Sequence, residues 1–227
     1  MSIKNNKGIS LIAVALILVV IGASVLLMLS SNNNNAENII TTQVRLNKIK
    51  SSIRTYSNMN QKYPCPAPLK KPLADSAFGL SINENCKTAP TVSNAMKCAE
   101  DLTNGIFCPA TNSGDNQTWI GAIPVRTLGL ADELAFDAWG NRFTYVVNNN
   151  STFVVNTITA TNNVNFHAFS HGPNGAGSYT RGGVANSRTC PSNASSPDEN
   201  ENCAYTVNST FVSKAWNGIY DDISFVY

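Results

Sequence analysis

Lys7-Gly8-Ile9-Ser10-Leu11-Ile12-Ala13-Val14-Ala15-Leu16-Ile17-Leu18-Val19-Val20-Ile21-Gly22-Ala23-Ser24-Val25-Leu26-Leu27-Met28-Leu29 is the stretch on which the reading of this chain turns. Between Ile9 and Leu29 there is no charged side chain, and only Ser10 and Ser24 are polar. That is 21 residues, against the roughly 20 that a helix needs to cross a bilayer core. Lys4 and Lys7 precede the run with no acidic residue, and Ser30, Ser31 and Asn32 to Asn35 follow it. The positive-inside rule then keeps the N-terminus in the cytoplasm and exports the bulk of the chain. A cleaved secretory signal has an apolar core of about 7 to 15 residues ending at a small-x-small site. Here the core is longer, and the small residues at Ala23-Ser24 stand in mid-span. An uncleaved signal anchor fits the same features.

Working outward, apolar residues recur at Val44, Leu46, Ile49, Ile53 and Tyr56. Steps of three and four from Leu46 to Tyr56 predict one helical face. The run and this segment form one long helix if Asn32 to Asn35 merely loosen it; a hinge there is equally open, because asparagine is a poor helix former. Pro64 and Pro66 are expected to end the helix. From Cys65 to about Gly121 the chain is rich in Pro, Asn, Ser and Gly, with Ser93 to Leu102 a candidate short helix. Phe143, Tyr145 and Val147 alternate, Asn148 to Asn150 suggest a turn, and Phe153 to Ile158 would return, which predicts a hairpin. Ile223, Phe225 and Tyr227 mark a last strand. The expected class is α+β: a long N-terminal hydrophobic helix packed on an antiparallel β-sheet head.

The chain has 227 residues and a net charge of +2. Its 16 basic residues are scattered, so no stripe tracks a phosphate backbone and no nucleic-acid partner is expected. Six cysteines, at 65, 86, 98, 108, 190 and 203, all follow the apolar run. An even set in an exported segment suits disulfides in an oxidising compartment. A zinc site is the rival reading, although no Cys-x-x-Cys pair occurs. Six cysteines allow 15 pairings. Proximity favours Cys190 with Cys203, and leaves Cys86 with Cys98 and Cys65 with Cys108 as one arrangement of the rest.

The junction Lys7-Gly8-Ile9-Ser10-Leu11-Ile12 resembles the N-terminal signal of type IV prepilins and type II secretion pseudopilins. The resemblance implies a leader, residues 1–8, removed after Gly8 by a prepilin peptidase that then methylates Ile9. It implies a transmembrane helix at 9–30, a helical stalk at 31–62 and a periplasmic head at 63–227. Partners would be other pilins or pseudopilins, the prepilin peptidase and an inner-membrane assembly platform. The family usually carries glutamate where this chain has Ala13, which points to a minor, tip-located or divergent subunit. Asp137-Ala138-Trp139-Gly140-Asn141 resembles a pseudopilin element ahead of the central hairpin; Gly140-Asn141 supply turn conformations, and Trp139 is expected to bury beneath the sheet. Asn174, in Gly172-Pro173-Asn174-Gly175, together with Asp221 and Asp222 resembles the family's calcium loop, since calcium takes six to eight oxygens. Two solvated aspartates at the head of a last strand explain those residues equally well.

No enzyme is expected. The two histidines, His167 and His171, lack the glutamate of a zinc-protease helix, and neither a nucleophile elbow nor a phosphate loop occurs. No catalytic residue and no certain cofactor follow. The alternative to a filament subunit is a signal-anchored periplasmic binding module.

Overall fold

The computed structural model describes residues 7–82, 105–106, 118–149, 151–157, 160–187, 189–190, 197–203, 210–215 and 222–224, with backbone alone at 7–13 and 22–34. Two units are distinguished, Met1–Ile40 and Thr41–Tyr227. Helix α1 spans Lys7–Asn60 and is helical through the four asparagines. The unit boundary falls inside α1, so residues 41–60 belong with the head. Among the described residues no helix is long and apolar enough to cross a membrane. Of the expected span, side chains are described only from Val14 to Ile21, about 12 Å of helix against a hydrocarbon core of roughly 30 Å.

In the larger unit the helical face holds where the spacing placed it. Leu46, Ile49 and Ile53 are fully buried, joined by Thr42, whereas Val44 and Ile40 lie off the stripe and are exposed. The helix stops at Asn60, before the prolines. Gln61 turns left-handed at φ 58°, and its N–H still closes on the Ser57 carbonyl at 2.8 Å. Glycine is the usual residue at such a C-terminal cap.

The head is α+β. One antiparallel sheet has the order β1 (Trp119–Ala122), β2 (Thr144–Val147), β5 (Phe166–Ser170), β7 (Ile223–Ser224). A second has the order β4 (Thr161–Val164), β3 (Phe153–Asn156), β6 (Thr210–Val212), with β6 parallel to β3. A short helix, α2 (Pro197–Cys203), precedes β6.

The expected hairpin is corrected. β2 and β3 lie in different sheets, and the hairpin is β3 with β4. Both edges of β2 are already taken, by β1 and by β5, and every residue of β2 is buried. The asparagines after β2 redirect the chain rather than reverse it. Asn148 donates its N–H to the Asn165 carbonyl, and its side chain accepts from Ser151 N–H. Asn149 binds both backbone groups of Tyr63 through its side chain.

The region assigned to loops also contains β1. Ala67 exchanges two backbone hydrogen bonds with Ala122, at 2.9 and 2.7 Å, which extends the sheet past β1. Gly121 makes that approach possible: a Cβ there would stand 2.7 Å from the Ala67 carbonyl oxygen, Ile106 and Pro66. A core of Leu69, Ile120, Val146, Phe153, Phe169 and Phe211 then links the two sheets. The candidate helix at 93–102, and Cys86, Cys98 and Cys108, lie outside the described residues.

Candidate functional site

The expected element at 137–141 forms a turn, with a different residue at its centre. Asp137 is 1% exposed, while Trp139 is only half-buried, which corrects its expected place beneath the sheet. The Asp137 carboxylate accepts from Trp139 N–H at 3.0 Å, Asn141 N–H at 2.8 Å and the Ser170 hydroxyl at 2.6 Å. An aspartate that binds the N–H groups two and four residues on holds the turn closed. Such a side chain has to point inward at its own backbone, which leaves the indole outside.

Within the larger unit the turn also receives residues 42 and 45 of α1. The Arg45 guanidinium donates to the Phe136 and Asp137 carbonyls at 2.8 and 2.9 Å, and Ala138 N–H donates to the Thr42 hydroxyl. On the far side Asn141 donates to the Gly172 carbonyl and accepts from Ser178, and Gly172 N–H donates to the Ser170 hydroxyl. Burial pushes the Asp137 carboxyl up to about 6; the hydrogen bonds from Ser170, Asn141 and Trp139 oppose that rise.

His167 and His171 share one face of the strand direction, two residues either side of Phe169. Both rings are fully buried and both contact Phe169. Burial pushes each imidazole down to about 3, so both are neutral at physiological pH. His171 Nε2 lies 2.8 Å from the Thr144 hydroxyl, and the Ser170 hydroxyl donates to Asp137.

Arg142 ties the loops together. Fully buried, it donates to the carbonyls of Thr180 at 3.0 Å, Pro68 at 3.3 Å, Arg181 at 3.4 Å, and Lys71. Its guanidinium lies over the rings of Phe78 and Phe136, at 4.8 and 5.7 Å. Burial pulls its pKa down to about 10. Nothing in the alternating pattern around it marks a buried cation, because its partners are carbonyls of distant loops.

Of the expected calcium ligands, Asp221 lies outside the described residues. Asp222 is buried. The Asn174 carbonyl oxygen accepts from Ala176 N–H, and its amide donates to Glu199 of α2. Among the described residues no group of three or more His, Cys, Asp and Glu gathers to hold a metal. Cys190 and Cys203 are disulfide-bonded, and Cys65 is in a disulfide whose partner is not among the described residues. Gly8 and Ile9 fall in the first turns of α1, where the backbone alone is described.

The remaining candidate surface is on α1 itself. Val14, Leu16, Ile17, Leu18, Val19, Val20 and Ile21 are each more than half exposed. Successive helical residues turn by about 100°, so this apolar surface runs all the way round. Compared with known proteins, the chain matches no family model, no curated protein and no solved structure.

Proposed function

We propose that the chain is a pilin-like structural subunit, made as a precursor, anchored in the inner membrane and assembled into a type IV pilus or a type II secretion pseudopilus. The observation that carries this reading is the all-round apolar surface of Val14 to Ile21. A helix apolar on every side needs lipid or a complete ring of neighbours, whereas a one-sided stripe would need only a single partner. A membrane supplies the first environment and a filament core the second. The junction at Gly8 and Ile9 supports cleavage and methylation there, and Lys4 and Lys7 support a cytoplasmic N-terminus with the head in the periplasm.

On this reading the chain is not an enzyme, and the head selects neighbours and external contacts. Gly22, Ala23 and Ser24 supply small residues for close helix packing. Ala13 in place of the family's glutamate supports a minor or tip position, because the subunit then brings no buried carboxylate to pair with a neighbour's terminal amine. Ala13→Glu should lower incorporation into filaments if the subunit caps the tip; incorporation at normal levels counts against that position.

The deciding test is intact mass and N-terminal sequencing of the protein from membranes, with and without the prepilin peptidase. A peptidase-dependent start at Ile9, methylated, supports the proposal. A chain that keeps Met1 sinks it in favour of a signal-anchored binding module.

A further inference from the structure

A cleft of about 660 Å³ opens on the second sheet, within the roughly 300–1,000 Å³ of small-ligand sites. Its floor follows from strand register. Asn156 of β3 pairs with Thr161 of β4 and with Val212 of β6, and Thr210 pairs with Val154, two residues before Asn156. Paired residues share a face, and so do residues two apart, so Asn156, Thr161, Thr210 and Val212 lie together. Helix α2 forms the wall. Asp198 and Glu201, three residues apart, line the cleft from one side of the helix, and Lys214 closes the other side through an ion pair with Asp198 at 2.6 Å.

The wall is fixed rather than loosely draped. Asn202 binds Val212 N–H and C=O through its side-chain amide, at 2.8 and 2.9 Å, which clamps α2 to the β6 edge. The Cys190–Cys203 disulfide holds its last residue, and Asn174 holds Glu199. The cleft is thus a formed site between a sheet and a pinned helix.

We propose that this cleft binds a neutral, hydroxyl-rich ligand, a short carbohydrate. Its lining offers acceptor-only carboxylates, a donor-only ammonium, one carboxamide and threonine hydroxyls. The Asn156 carbonyl oxygen already accepts from Thr161, while among the described residues nothing takes its N–H groups, and nothing pairs with the Thr210 hydroxyl. Asp198 and Lys214 already hold one another, and a ligand hydroxyl, which both donates and accepts, can meet the Asn156 N–H groups and the Thr210 hydroxyl together. An anion meets Asp198 and Glu201, a cation meets Lys214, and an apolar ligand finds only Ala160, Pro197 and Val212 to cover. The inference stands apart from filament assembly, since it rests on the head alone.

The test is saturation-transfer NMR on the full chain in micelles of a detergent without a sugar headgroup, with maltose, cellobiose, lactose and N,N′-diacetylchitobiose as probes. At least one probe is expected to show transfer, and Glu201→Gln and Asn156→Ala should each weaken it by about tenfold, the loss of one good hydrogen bond. Thr210→Val keeps the branched shape that β6 needs and provides a third reading should Asn156→Ala melt early. No transfer from any of the four sugars overturns the proposal. So does transfer that persists at unchanged affinity in every folded variant, because the sugar then sits elsewhere.

Discussion

Asp137 and two histidines pull the acid response of the head in opposite directions. Its carboxyl is raised from 3.8 to about 6, so its contribution to stability is full below pH 3.8 and is lost as pH rises through about 6. That contribution is on the order of 3 kcal/mol. His167 and His171, lowered from 6.5 to about 3, act the other way. Their stability is full above pH 6.5 and is lost as pH falls toward 3. Between pH 4 and 6 two histidines oppose one aspartate, so these three groups together let acid weaken the head with a net slope of one proton. Asp137→Asn keeps an acceptor for the turn and removes the opposing group. The dependence of the urea midpoint on pH should then steepen to about two protons' worth; an unchanged slope would show that Asp137 is not the compensating group. Arg142→Met should lower unfolding free energy by about 3 kcal/mol or more, because four loop carbonyls lose their donor together. A loss below 1 kcal/mol in chemical denaturation would show that water replaces the guanidinium.

At the level of elements, the position of β2 explains why a local pattern misled. Phe143, Tyr145 and Val147 alternate as a half-exposed hairpin strand does, yet β2 is central, with both faces covered and both edges paired. Alternation reports side-chain direction and says nothing of which strand lies alongside. The same holds for β1, hidden among turn-forming residues, whose outer edge is finished by Ala67. Gly121→Ala tests that seam. Its methyl would collide with backbone as well as side chains, so a loss of about 1–3 kcal/mol is expected, with faster amide exchange at Ala67 and Ala122. If exchange there is unaffected, the two segments do not pair in solution.

For the whole molecule, the disulfide acts on a small, identifiable part. Cys190 and Cys203 are 13 residues apart, and closing a loop of that size stabilises by about 3 kcal/mol in the chain-entropy account. What it holds is α2, seated against the turn after β5: a Cβ at Gly177 would lie 2.9 Å from the Cys203 sulfur. Replacing both cysteines by serine should speed amide exchange across 197–203 and at Val212, while α1 from Leu46 to Ile53 stays protected. Equal loss of protection at both places would mean that the head unfolds as one unit.

The apolar run, the buried stripe at Leu46, Ile49 and Ile53, the α+β class and the nearness of Cys190 to Cys203 were legible from residues alone. Each depends on spacing along the chain, and spacing is what a sequence contains. The turn at 137–141 was visible through Gly140 and Asn141; that its acid buries and its tryptophan does not was decided by Ser170 and Arg45, which arrive from far along the chain. The partners of β2, the carbonyl nest around Arg142 and the cleft between α2 and β6 belong to tertiary structure for the same reason. They join groups separated by tens of residues, and no local propensity records which distant backbone will come to lie beside them.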